Sequence, residues 1–141
     1  MAHDTLEALL RIRRLAVEEA MRNVAASLQE ASQARRALAA LTEAIARERA
    51  IARDLMPADP RLAAFGPWQA RTRQDIAHAA ARLDHADRAI AAAQAALGEA
   101  RGAARAMEAA LERRRAEENA AAWRRAQHEL EDVARRAPGA V

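Results

Sequence analysis

Apolar residues recur along this chain every seven positions, and the recurrence is broken once. The first series runs Leu10, Val17, Val24, Ala31, Leu38, Ile45 and Ala52, with companions at Leu6, Ala20, Ala34, Leu41 and Leu55. Arg13, Ser27 and Glu48 interrupt the companions, while Met21 and Leu28 widen the stripe by one position. A second series, Ile76, Leu83, Ile90, Leu97, Ala104 and Leu111, carries companions at Ala79, Ala86, Ala93, Ala100 and Met107. Positions seven apart nearly eclipse on a helix, so each series predicts one apolar seam along a long helix. Past Leu111 the phase slips by about one residue, a local unwinding of the supercoil. Trp123, Ala126, Leu130, Val133 and Ala137 carry the stripe on.

The breakers place the boundaries. Asp4, with Glu7 three residues on, reads as a capping box, which starts helix 1 near residue 5 and lets it run to about 56. Pro57, Pro60, Gly66 and Pro67 predict a bend over 57–67. Pro57 disfavours helical geometry at Met56, Asp59-Pro60 suits a cap for one short turn over 61–65, and Gly66-Pro67 resets the chain. Helix 2 then spans about 68–137 and stops at Pro138-Gly139. Gly98 and Gly102 weaken it by roughly 1 kcal/mol each against Ala and permit a gentle bend. Acids four residues before an Arg (Glu7/Arg11, Glu18/Arg22, Glu43/Arg47, Asp84/Arg88, Glu131/Arg135, Asp132/Arg136) add small increments to both helices.

Length sets the topology. At 1.5 Å per residue the helices measure roughly 75 Å and roughly 100 Å. Folded back, Leu55 comes near Trp68 and Leu6 near 116–120, and about the last twenty residues of helix 2 overhang. The expected fold is all-α: one coiled-coil hairpin domain over 1–141, antiparallel, with the second helix longer. Trp123 and Leu130 on the overhang lack an intrachain partner helix, which calls for another protein to cover them.

Composition thins the seam. Of 141 residues 44 are Ala, against 13 Leu, 5 Ile and 4 Val. Ala favours helix strongly and buries little area, so large-then-Ala alternation suits two closely approached helices and a marginal core. All 23 basic residues are Arg and offset 20 acids in every part of the chain, so no single-sign field points to nucleic acid. There is no Cys, and His78 and His85, seven apart, read as solvated, a metal site being the alternative. No phosphate loop or nucleophile motif appears, so neither catalytic residues nor a cofactor are expected. No signal peptide or spanning run is visible, and a soluble cytosolic protein is expected.

The residues also carry a resemblance. Leu9-Leu10-Arg11-Ile12-Arg13-Arg14-Leu15-Ala16-Val17-Glu18-Glu19-Ala20 opens helix 1. Leu111-Glu112-Arg113-Arg114-Arg115-Ala116-Glu117-Glu118 and Glu129-Leu130-Glu131-Asp132-Val133-Ala134-Arg135-Arg136 lie toward the end of helix 2. These stretches, in a two-helix chain of this length, resemble the FliJ family of flagellar export proteins and its injectisome relatives. In the closing stretch the acidic pair is Glu131-Asp132, a departure from the family's Leu-Asp-Glu-Ala-Arg-like pattern.

The resemblance implies a non-catalytic stalk of the flagellar type III export apparatus, at the cytoplasmic face of the basal body and peripheral to the membrane through partners only. It implies that the end bearing the termini enters an export ATPase hexamer through Arg13, Arg14, Glu18, Arg114, Trp123, Arg124, Arg125, Glu129 and Asp132. The start of helix 2, with Trp68, Arg71, Asp75, His78 and Arg82, would meet the cytoplasmic domain of the export gate and escort chaperones. Trp68 equally suits plugging the hairpin tip against Phe65 and Leu55. The alternative is a structural coiled-coil scaffold or tether unrelated to export.

Overall fold

The computed structural model describes residues 2–137 and 139, with Ala2 and His3 described by their backbone alone. Pro138, half of the expected Pro-Gly stop, lies outside the described residues, as does the His3 side chain. Two helices pack against each other: α1, Ala2–Asp54, of 53 residues, and α2, Arg61–Arg136, of 76. No strand occurs among the described residues.

Three boundaries differ from the sequence expectation. Helix α1 begins at Ala2, so Asp4 lies inside the first turn, where its charge complements the helix dipole, instead of standing before it as a cap. It ends at Asp54, two residues before Met56. The largest difference is that α2 begins at Arg61 and runs through Gly66-Pro67 without a break. Proline normally excludes the preceding residue from helical geometry, because its Cδ meets that residue's Cβ and N–H. Gly66 has no Cβ, which relaxes the restriction. Pro67 also strips the Ala63 carbonyl of its donor, but both residues are exposed, so water can satisfy it.

The connection is therefore short. The Asp59 N–H donates to the Met56 carbonyl at 2.9 Å, closing a turn with Pro57 at its second position. No described residue has a positive φ, which fits a type I turn and excludes type II. Asp59 then caps α2: its Oδ1 accepts from the Arg61 N–H at 2.9 Å, with Pro60 in the first helical position. The Arg61 guanidinium closes back on the same carboxylate at 2.8 Å. These two contacts, side chain first, hold the Asp59 carboxyl below its ordinary value of 3.8 and the guanidinium correspondingly more basic.

The chain divides into two compact units: Glu18–Gly98, a helical hairpin, and a terminal unit of Met1–Val17 with Glu99–Val141. In the hairpin unit the seam buries Ala20, Ala31, Ala34 and Ile45 of α1 against Thr72, Ala79 and Ala86 of α2. In the terminal unit it buries Leu10 of α1 with Ala104 and Leu111 of α2. All of these apolar residues sit at the seven-residue positions or their companions. Met21 and Leu28 do not join them; each is 50% exposed. Two helices without a third layer cover only a narrow stripe, so second-row side chains stay wet.

Thr72 extends the α2 series one heptad upstream of Ala79, which follows from the earlier start of the helix. Its hydroxyl donates to the Trp68 carbonyl at 2.9 Å, so burial leaves no orphaned polar group.

Ion pairs across the seam set its register. In the terminal unit Arg115 of α2 meets Glu7 of α1 at 2.9 Å, and Arg14 of α1 meets Glu108 of α2 at 3.0 Å. One heptad forward on α1 is matched by one heptad backward on α2, which requires antiparallel helices. In the hairpin unit Arg35–Asp87 (3.3 Å) lines one flank and Arg82–Glu30 (2.7 Å) the other. In the terminal unit the Glu7–Arg115 pair brings the start of α1 alongside residue 115, at the edge of the expected 116–120. Among the expected pairs within one helix, Glu43–Arg47 stands at 3.9 Å and Asp84–Arg88 is formed. Arg114–Glu118 (3.2 Å) adds one in the reverse order, and Glu131 lies 3.9 Å from His128.

Candidate functional site

Burial on α2 stops at Leu111. From Glu112 to Arg136 every residue is exposed except the half-buried Ala121. Beyond Arg115, which still reaches Glu7 of α1, this stretch is the overhang. Its apolar stripe is open to water: Trp123 is 71% exposed, Leu130 71% and Val133 66%. Each costs free energy in that state, because its hydrocarbon surface orders water that burial would release. An apolar stripe at helical spacing with no covering element among the described residues is a candidate binding surface.

Charges flank the stripe. Arg125, Glu129 and Asp132, spaced four and three apart, share one face of α2. Arg124 projects about 100° away from Arg125 on the other flank of the stripe. Arg125 Nε donates to the Ala121 carbonyl at 3.4 Å, which holds the side chain along its own helix. Arg114 donates to Glu118. On α1, Arg13 occupies a seam position yet stays exposed, its long stem allowing the charge to reach water. Arg14 is engaged by Glu108 across the seam. The residues expected at the ATPase thus separate. Arg13, Arg14, Arg114, Trp123, Arg124, Arg125, Glu129 and Asp132 belong to the terminal unit, and Glu18, also exposed, to the hairpin unit.

The residues expected at the export gate lie in the hairpin unit on one face of α2, and they too separate. Trp68 is half-buried and stacks on Phe65, ring centroids 5.9 Å apart and 28° between planes. Together with Ile51, Leu55, Glu48, Arg61 and Arg71 they line an open cleft of about 390 Å³ beside the turn. Trp68 therefore serves the hairpin tip. His78 and Arg82 line a second shallow cleft with Glu30, Ala81 and His85, and Arg82 is tied to Glu30. Asp75 is exposed and lines neither. Among the described residues, no His, Asp or Glu cluster could hold a metal ion.

A third open cleft lies in the terminal unit, where Leu10 and Leu111 form its floor and Glu7, Arg14, Glu108 and Arg115 its rim. Beside the seam here, Leu9, Ile12 and Leu15 point to solvent, Ile12 and Leu15 at 59% and 61% exposure. The seven-residue series leave out these three, although large aliphatic residues outside both the seam positions and their companions mark them.

No helix among the described residues is long and apolar enough to cross a membrane. No family model matches the chain, and neither a curated protein nor a solved structure matches it.

Proposed function

We propose that this chain is a non-catalytic stalk and escort component of a bacterial type III export apparatus, acting at the cytoplasmic face of the flagellar basal body. The observation that carries the proposal is the uncovered end of α2, with Trp123 and Leu130 exposed between flanks of mixed charge. A solvent-facing Trp on an Ala- and Arg-rich helix is an anchor for a partner's pocket, and the flanking charges orient it. In this reading the terminal unit enters the central opening of an export ATPase hexamer. Trp123 supplies the apolar anchor there, and Arg125, Glu129 and Asp132 pair with charges of the ring. The clefts along α2 of the hairpin unit then receive the gate's cytoplasmic domain and the escort chaperones. The open clefts and the helical seam suit a protein that is gripped, not one that encloses a substrate.

Capture of the cognate export ATPase by the full chain and by a form lacking residues 119–141 tests the proposal. Full-length protein should retain the ATPase, and the shortened form should lose it. Equal recovery by both would sink the reading.

A further inference from the structure

We infer that the overhang of α2 pairs with the same segment of a second copy of this chain, antiparallel, in the protein's free state. The stripe Trp123, Ala126, Leu130 and Val133 has steps of three, four and three residues, and the same spacing extends back to Asn119 and Ala116. Two such helices laid antiparallel about a dyad between Arg124 and Arg125 place Trp123 of each against Ala126 of the other. The same register sets Leu130 against Asn119 and Val133 against Ala116. Trp123 and Val133 each meet an Ala and Leu130 meets Asn119 at the edge of the contact, where the amide can reach water, and both Trp123 rings leave water.

Charge selects this register from its neighbours. Antiparallel helices bring like flanking positions together, as Glu7–Arg115 and Arg14–Glu108 already do within one chain. In the proposed register Glu129 of each copy meets Arg115 of the other, twice by symmetry. Arg115 gives one nitrogen to Glu7 and keeps further N–H donors for a second carboxylate. Displacing one helix by a heptad, so that Leu130 meets Ala126, sets Glu129 against Ala122 with no ionic gain, and a second heptad, so that Leu130 meets Val133, opposes the two Glu129 side chains. A parallel pair sets Glu129 against Ala134, with no ionic gain. The contact is only a few helical turns long, so a dissociation constant of roughly 1–100 µM is expected.

Sedimentation equilibrium of the purified full chain should show a monomer–dimer equilibrium in that range. Trp emission should shift to the blue with concentration in wild type but not in Trp123→Ala. Glu129→Arg should raise the dissociation constant about tenfold, since it replaces two attractions by two repulsions. Adding Arg115→Glu should restore dimerisation, with circular dichroism confirming that each variant is helical. Because the chain has no Cys, a thiol introduced as Gln127→Cys reports register cleanly. Near the dyad it should cross-link to its own copy through a short bis-maleimide. A monomer at every concentration up to about 500 µM, or a dimer indifferent to Glu129→Arg and unlinked through Gln127→Cys, would overturn the inference. The result is read on the protein alone. A strictly monomeric chain that still captures the ATPase would end this inference and leave the export reading standing.

Discussion

At the scale of single residues, three kinds of position have separable effects. Gly98 and Gly102 lie within α2, exposed, and a Cβ built on either meets nothing within 4 Å. Gly98→Ala and Gly102→Ala should each stabilise the protein by about 0.5–1 kcal/mol, seen as a higher midpoint in thermal or urea melts. Seam residues respond in the opposite sense. Ile45 is 7% exposed, and Ile45→Ala should cost about 2–3 kcal/mol, toward the low end for buried aliphatics because a two-helix seam can close partly on the gap. Asp59 carries a pH dependence. Its folded carboxyl titrates below 3.8, so its contribution is present above that value and is lost as pH falls through the lowered one. Following the Asp59 carboxyl by NMR between about pH 5 and pH 2 should show the depressed midpoint, and Arg61→Ala should raise it only part of the way to the ordinary range, because the backbone N–H of residue 61 still donates to it.

At the scale of the helices, the start of α2 is where local preference and the observed chain part company. Pro67 lies seven residues into α2 and withholds a donor from Ala63. Pro67→Ala should restore that hydrogen bond and raise stability by about 1 kcal/mol, less than the full interior penalty because the carbonyl already faces water. A fall in stability on that substitution would show that the ring stiffens the approach to the turn more than the missing bond weakens it. The cross-seam ion pairs act differently. Arg35 and Asp87 are more than half exposed, so Arg35→Ala should cost less than about 0.5 kcal/mol and the cost should shrink further at high salt. What these pairs contribute is register. The seam alone, with Ala at so many positions, discriminates weakly between one heptad alignment and the next, whereas a one-heptad slip misplaces every flanking charge.

At the scale of the molecule, burial and the exposed apolar stripe occupy different stretches of chain. The seam ends at Leu111, and the stretch beyond it adds almost no burial. Removing residues 119–141 should therefore leave the melting temperature within about 2 °C of the full chain while abolishing capture by the partner. A large drop in melting temperature would mean that the overhang supports the fold. Coupled loss of helix content would rule out reading the capture result as a binding effect. The exposed Leu9, Ile12 and Leu15 lie in the same terminal unit as the overhang. The terminal unit thus offers two apolar faces to water, on helices whose sequences would otherwise support only a thin seam.

Much of this was legible in the residue pattern. The two helices, their antiparallel packing and the seam positions follow from a seven-residue period, since helical geometry converts spacing into facing and a proline cluster can only interrupt it. Trp123 and Leu130 stood exposed because the second series outlasts the first. What the pattern could not carry were the contacts that depend on a neighbour. Gly66-Pro67 reads as a stop by local sterics, and only the folded chain shows the helix running through it, where a missing Cβ and a hydrated carbonyl make it tolerable. Arg14 and Glu7 could not be assigned their cross-seam partners until the register existed, because flanking charges pair by alignment between helices and not by spacing along one. Periodicity along one chain specifies a face; only tertiary structure decides which part of that face is covered.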